Sequence, residues 1–112
     1  MKAGSGNCYT ESKVGMNTFL RIASYAGNCP EAFTAAWDTF QRIEQLCSRF
    51  EQTSQLAQIN QMAGKARVPV AAEVLEILLA AQEIANFTDG AFDATVGAVT
   101  ELWAIDGPES KL

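Results

Sequence analysis

Residues 30–49 read PEAFTAAWDTFQRIEQLCSR, and this stretch gives the clearest indication of the fold. Apolar side chains recur here mostly at steps of three and four residues, namely Phe33, Ala36, Trp37, Phe40, Ile43, Cys47 and Phe50. This spacing predicts one amphipathic helix over residues 30–49. Proline at position 30 suits the first turn of a helix, because no N–H is needed there. We expect Trp37, and also Trp103 near the end of the chain, to lie in the core.

Further helices are predicted after this stretch. Ser54 can cap a short helix that carries Leu56, Ile59 and Met62. A second strong helix covers residues 72–87, with an apolar stripe made of Val74, Ile77, Leu78, Ala81, Ile84 and Ala85. Gly90 suits a left-handed position just beyond its end. Residues 96–105 can form a last helix.

Before the long helix, residues 14–25 predict one strand, because Phe19, Ile22 and Tyr25 favour extended structure. Residues 1–13 are small and polar, so we expect a flexible N-terminal arm there, followed by a single domain over residues 14–112. A lone strand has no hydrogen-bond partner, and another chain or segment is therefore expected to complete a sheet. The predicted fold class is α+β, mostly helical with one or two strands.

Charge and composition exclude several classes of function. The chain of 112 residues carries 13 acidic and 8 basic side chains, for a net charge of −5. Such a chain, without a Lys/Arg cluster, repels a phosphate backbone, so nucleic acid is not an expected partner. The lack of histidine removes His-dependent triads and histidine metal ligands. Cys8, Cys29 and Cys47 form no CxxC pair, and we expect reduced thiols, with Cys47 in the core.

The sequence predicts no membrane span and no secretory signal. Its longest apolar run, residues 77–81, is far shorter than the roughly 20 residues that a transmembrane helix needs. Residues 1–7 lack the apolar stretch of a signal peptide, and Ser5-Gly6-Asn7 does not approach Cys8 as a lipid-attachment site would. The expected location is the cytoplasm, unless the sequence is the processed form of an exported protein.

Two segments carry specific motifs. Residues 48–60 read SRFEQTSQLAQIN, and residues 88–97 read TDGAFDATVG, with Leu102-Trp103 beyond them. Met16-Asn17-Thr18 stands at the start of the predicted strand. In this order and spacing, from about residue 14 to residue 105, the chain resembles the ApbE-type flavin transferases, which are FAD:protein FMN transferases.

The resemblance implies an α+β fold that binds FAD. It also implies transfer of FMN from FAD to a threonine or serine hydroxyl of a target flavoprotein, with release of AMP and assistance from Mg²⁺. The positions that contact FAD in the family correspond here to Met16, Phe50, Ala91, Phe92 and Asp93. The Phe50 ring can stack on the isoalloxazine ring. Asp93 can accept a hydrogen bond from a flavin N–H or a ribityl hydroxyl.

The chain also departs from the family pattern. The family's Gly-rich segment with a lysine, and its late Asp/Thr loop that holds Mg²⁺, do not occur in this sequence. We therefore assign no catalytic residue and no metal ligand, and we expect the chain to be inactive alone. A homo-oligomer or a partner chain is expected to complete the fold. Asn17 replaces a usual glycine, Phe50 replaces a usual tyrosine, and Ala94 and Ala98 replace usual prolines.

Simpler interpretations of the same residues stay open. Phe50 and Met16 can be core residues, and Ser54 can be no more than a helix cap. Asp93 can be a turn residue that bonds its own backbone. Two other functions also stay open: a flavin-binding module without catalysis, and a helical domain that self-associates through exposed apolar surface.

Overall fold

A computed structural model describes residues 8–97 and residue 99. The elements follow in the order β1 Tyr9–Gly15, β2 Thr18–Ser24, α1 Pro30–Cys47, α2 Gln55–Met62 and α3 Ala72–Phe87. The chain divides into two compact units, one that ends at Val70 and one that begins at Ala71. The α+β class expected from the sequence is confirmed. A single domain over residues 14–112 stays a prediction.

β1 and β2 form an antiparallel hairpin, in which Tyr9 pairs with Ser24 at the open end. The expectation of a lone strand completed from elsewhere was therefore wrong, because the partner strand comes directly before it in the same chain. The expected arm over residues 1–13 was wrong from Tyr9 onward, since that part belongs to β1. Residues 1–7 of the expected arm lie outside the described residues.

The hairpin loop contains two residues, because the register pairs Gly15 with Thr18. Met16 and Asn17 between them have φ angles of 50° and 57°. A type I′ turn requires positive φ at both of its central residues, and its twist matches that of the strands. Asparagine enters this left-handed region more readily than most other non-glycine residues. The replacement of a usual glycine by Asn17 therefore preserves the conformation of the turn.

One face of the hairpin packs on α1 through alternate residues of β1. The Tyr9 ring meets the Phe33 ring edge-on, with 5.2 Å between ring centroids. Glu11 Oε2 accepts a hydrogen bond of 2.7 Å from the Trp37 indole N–H. The Lys13 ammonium lies 5.0 Å from the centroid of the Trp37 ring. Phe33 and Trp37 are buried, which confirms the core position expected for Trp37.

The helices follow the sequence prediction closely. α1 ends at Cys47, two residues before the predicted end. α2 begins after Ser54, whose side chain accepts a hydrogen bond from the Ala57 N–H. α3 has the predicted bounds. Of the predicted last helix, the structure describes only residues 96, 97 and 99, and Trp103 lies outside the described residues.

α3 keeps much of its apolar surface exposed. Val74 is buried, but Ile77 and Ile84 of the predicted stripe are exposed, as are Leu75 and Leu79 on other sides of the helix. A helix that is apolar on several sides is typical of the interior of a larger protein. In the part of the chain that the structure describes, no helix has the length and apolar character needed to cross a bilayer.

The backbone of the hairpin turn leads to a prediction about Asn17. We expect Asn17→Ala to lower the free energy of unfolding by about 1 kcal/mol, because alanine pays the full steric cost of positive φ. Asn17→Gly should leave stability unchanged within about 0.5 kcal/mol, since glycine adopts positive φ freely. Urea unfolding followed by tryptophan fluorescence measures both. Equal destabilisation by the two variants would contradict this explanation.

Candidate functional site

A cavity of about 310 Å³ lies where the hairpin turn meets the end of α1. We call it the turn cavity, and it is lined by Met16, Asn17, Ile43, Glu44, Cys47, Ser48, Arg49 and Phe50. Two of the sequence-predicted FAD contacts, Met16 and Phe50, therefore share one cavity although they are far apart in the sequence.

Two serines fix the chain that follows α1. Ser48 Oγ accepts hydrogen bonds from the backbone N–H groups of Phe50, at 3.3 Å, and Glu51, at 3.4 Å. The buried Ser54 hydroxyl donates a hydrogen bond to the carbonyl oxygen of Ser48. It also accepts one of 3.0 Å from the N–H of Ala57. Ser54 is thus a helix cap, as expected, and in addition it closes the loop that carries Phe50.

The ring of Phe50 is 66% exposed, so the interpretation of Phe50 as a core residue does not hold. The Arg49 guanidinium lies 4.7 Å from the centroid of this ring. Such a cation–π contact orients the ring and covers part of its surface. The remaining surface faces a cavity with mostly apolar walls, and it can stack on a flat aromatic ligand.

Glu44 attaches the hairpin turn to α1, and the sequence predicted no role for this residue. Glu44 Oε1 accepts a hydrogen bond of 2.7 Å from the backbone N–H of Met16. One feature of the sequence could have indicated a role, because α1 carries this acid and no basic residue in its last turn. An acid at that end opposes the helix dipole.

Cys47 lines the turn cavity and is half-buried, so its position differs from the core position expected. Burial raises the pKa of its thiol above the ordinary value. Cys8 is exposed, and all three cysteines are free thiols. Cys47 is therefore less reactive than an exposed thiol, but a small reagent that enters the turn cavity can reach it.

The other predicted FAD contacts lie in the second unit, just beyond α3. Gly90 has a φ of 80°, which confirms its expected left-handed conformation. Its N–H donates a hydrogen bond of 2.9 Å to the carbonyl oxygen of Ala85. The Thr88 hydroxyl donates to the carbonyl oxygen of Ile84 at 2.8 Å and accepts from the N–H of Phe92 at 3.0 Å. The loop with Phe92 is thus held on the last turn of the helix.

Asp93 forms a local turn with Thr95. Its Oδ1 accepts hydrogen bonds from the Thr95 hydroxyl, at 2.7 Å, and from the Thr95 backbone N–H, at 2.8 Å. These two donors, the hydroxyl first, hold the pKa of the Asp93 carboxyl below its ordinary value. The interpretation of Asp93 as a turn residue is therefore confirmed. A carboxylate can accept further hydrogen bonds, so this role does not exclude contact with a ligand.

The predicted site residues thus form two groups in different units. Met16 and Phe50 line the turn cavity, whereas Ala91, Phe92 and Asp93 lie together in the loop after α3, where all three are exposed. Across residues 8–97 and 99, no group of three or more His, Cys, Asp or Glu side chains is placed to hold a metal ion. These residues do not fit a Mg²⁺ site of that kind.

The chain thus has an α+β fold, a cavity with an aromatic ring at the hairpin turn, and a Gly-Ala-Phe-Asp loop at the end of a helix. The sequence model of the ApbE family matches residues 16–112. The chain therefore belongs to the ApbE family.

Two relatives show how much of a family protein this chain represents. It is 28% identical over 96 residues to an FAD:protein FMN transferase of Chlamydia trachomatis serovar D, covering 82% of this chain and 30% of that protein. It also resembles the crystal structure of the ApbE protein from Thermotoga maritima MSB8, with a TM-score of 0.76 and 31% identity. That match covers 91% of this chain and 33% of the other. The chain thus spans about a third of the length of each relative.

The turn at Asp93 leads to a prediction of pH dependence. Because the folded-state pKa of Asp93 is lowered, its hydrogen bonds stabilise the loop above the ordinary aspartate pKa and are lost as the pH falls through the lowered value. Thr95→Val removes the hydroxyl donor and keeps the backbone N–H, so the pKa of Asp93 should rise toward the ordinary value. NMR titration of the Asp93 carboxyl carbon measures this change. Thr39→Val, far from the loop in sequence, is the control, and an unchanged Asp93 pKa in Thr95→Val would contradict the prediction.

Proposed function

We propose that this chain is the flavin-binding part of an FAD:protein FMN transferase. It binds FAD, and FMN is transferred from FAD to a threonine or serine hydroxyl of a target flavoprotein with Mg²⁺. The observation that carries the proposal is the turn cavity, which joins Met16 and Phe50 at one apolar site. The FAD:protein FMN transferase of Chlamydia trachomatis, to which the chain is similar, supports the same assignment.

The turn cavity suits the isoalloxazine ring better than it suits the diphosphate of FAD. Its volume of about 310 Å³ lies at the lower end of the range of small-molecule pockets, which is about 300–1,000 Å³. The partly open ring of Phe50 offers a stacking surface, and Ile43 and Cys47 add apolar wall. A diphosphate would instead need several cationic partners, and the lining offers Arg49 together with the Glu44 carboxylate, which repels it. We therefore place the flavin ring against Phe50 and the phosphates outside the cavity.

We propose Ala91, Phe92 and Asp93, in the loop after α3, as further residues that contact FAD. The hydrogen bonds from Thr95 keep the Asp93 carboxyl ionised, so it is ready to accept a hydrogen bond from a flavin N–H or a ribityl hydroxyl. The Thr88 hydroxyl fixes the backbone of Phe92 and thereby the loop. These groups bind and orient FAD, and none of them is assigned to the transfer step.

The transfer step needs groups that we do not assign to this chain. Mg²⁺ would supply the positive charge that offsets the diphosphate in the transition state. The described residues do not fit such a metal site, and inactivity of the chain alone stays a prediction. We propose that a partner chain supplies the lysine and the metal ligands.

The exposed surface of the second unit supports a partner that completes the fold. Leu79 is 55% exposed and Phe87 is 87% exposed, and Leu75, Ile77 and Ile84 add to this apolar surface of α3. Burying such side chains stabilises an association by roughly 25 cal/mol for each Å² of apolar area. A cytoplasmic location stays a prediction.

Titration with FAD tests the proposed function. We expect the 112-residue chain to bind FAD with micromolar affinity, followed by flavin and tryptophan fluorescence with and without Mg²⁺. Phe50→Ala should weaken binding about tenfold, since stacking on a flat heterocycle contributes about 1–2 kcal/mol. Phe19→Ala is the matched control, because Phe19 is 83% exposed and does not line the turn cavity.

The proposed role of Asp93 is tested in the same titration. Asp93→Ala should also weaken FAD binding, whereas Asp89→Asn, which removes a charge from the same loop and tolerates the φ of 51° there, should not. A folded chain that binds no FAD at millimolar concentration would overturn the proposed function. A mass that rises with concentration in the same sample would then favour the self-associating domain.

The position of the bound ring is tested through Cys47. Saturating FAD should slow alkylation of Cys47 several-fold and leave the exposed Cys8 unchanged, because Cys47 lines the turn cavity and Cys8 does not. Without FAD, Cys47 should already react more slowly than Cys8, since burial raises the pKa of its thiol. Mass spectrometry after timed treatment with iodoacetamide measures both thiols in one sample. FAD binding that leaves the Cys47 rate unchanged would place the ring elsewhere.

A further inference from the structure

Glu44 lies at the end of α1, where its side chain reaches the hairpin turn. It is half-buried in the last turn of α1, and its Oε1 lies 2.7 Å from the backbone nitrogen of Met16. Its other carboxylate oxygen would lie 3.7 Å from a Cβ atom added at Gly15. The carboxylate thus reaches the backbone of the turn from the helix.

The position of Glu44 is electrostatically unfavourable on the helix alone. The C-terminal end of a helix carries a partial negative charge, and the last turn of α1 contains no basic residue. A hydrogen bond from an N–H to a carboxylate is about twice as strong as a neutral one. The hydrogen bond from the Met16 N–H therefore offsets the unfavourable energy of an acid at this end of α1. This bond gives a reason for a glutamate at position 44, which helix formation alone does not.

We propose that Glu44 is a positioning residue of the flavin site. Through its hydrogen bond to Met16, it fixes the turn on α1, so that Met16 and Phe50 line the same cavity. Met16 and Glu44 both line the turn cavity, and Phe50 follows the end of the same helix. This inference rests on the proposed function, because the cavity matters as a site only if a flavin occupies it.

Two variants of nearly equal size separate the hydrogen bond from the packing. Glu44→Gln keeps a carbonyl acceptor for the Met16 N–H, whereas Glu44→Met keeps the length of the side chain and loses the oxygen. Both residues are good helix formers, so α1 should persist in each variant. Glu51→Met is the matched control, since Glu51 is an acid near the same loop that does not line the turn cavity.

Two measurements on the 112-residue chain test the inference. Hydrogen exchange of the Met16 amide, observed by NMR, should be about tenfold faster in Glu44→Met, because a hydrogen bond of this kind contributes about 1.5 kcal/mol. FAD binding should weaken by a similar factor in Glu44→Met. Glu44→Gln should stay within about threefold of the wild type in both measurements, and Glu51→Met should change neither.

The outcomes distinguish this inference from the proposed function. Unchanged exchange at Met16 in Glu44→Met would overturn the positioning role, as would faster exchange with unchanged FAD binding. Absence of FAD binding by the wild-type chain would overturn the proposed function and the role of Glu44 in it together. Loss of binding in Glu44→Met with rescue in Glu44→Gln supports both.

Discussion

The hydrogen bond from the Trp37 indole to Glu11 is the interaction on which the first unit depends. It allows a strand with a carboxylate on its inner face to pack against the apolar face of an amphipathic helix. Without this donor, the half-buried carboxylate would keep only the longer hydrogen bond of 3.3 Å from the Tyr9 hydroxyl, and its desolvation would be poorly offset. A two-stranded hairpin is marginally stable by itself, so its contact with α1 decides whether it persists.

The turn cavity follows from this attachment. Trp37 and Glu44 are seven residues apart on α1, which is two helical turns or about 10 Å. Both bond the hairpin, Trp37 at the strand β1 and Glu44 at the turn. The helix therefore holds the hairpin along its length, and the cavity forms at the end where the turn stands beside the last residues of α1.

Hydroxyl groups at helix ends position the proposed ligand contacts in both units. Ser48 and Ser54 fold the chain around Phe50 after α1. Thr88 does the same for Phe92 after α3. In each case a short side chain bonds backbone groups at the end of a helix or just beyond it. The aromatic rings can then stay exposed without loss of local order, as a binding residue requires.

The sequence predicted the helices well because their apolar residues recur with helical spacing, as in residues 72–87. β1 could not be predicted in the same way, because its helix-facing residues are Tyr9, Glu11 and Lys13 and so lack an apolar alternation. The motifs predicted the family and the candidate FAD-binding residues. The role of Glu44 could not be read from spacing, since it depends on a contact between two distant parts of the chain.

The two-residue turn also has a consequence for the order in which the protein folds. Its strands are neighbours in the sequence, and a hairpin of this kind forms within about 1–10 μs. α1 follows the hairpin after five residues, 25–29, so the pieces of the first unit meet without closure of a long loop. During synthesis, the hairpin and its helix can therefore assemble before the residues of α3 leave the ribosome.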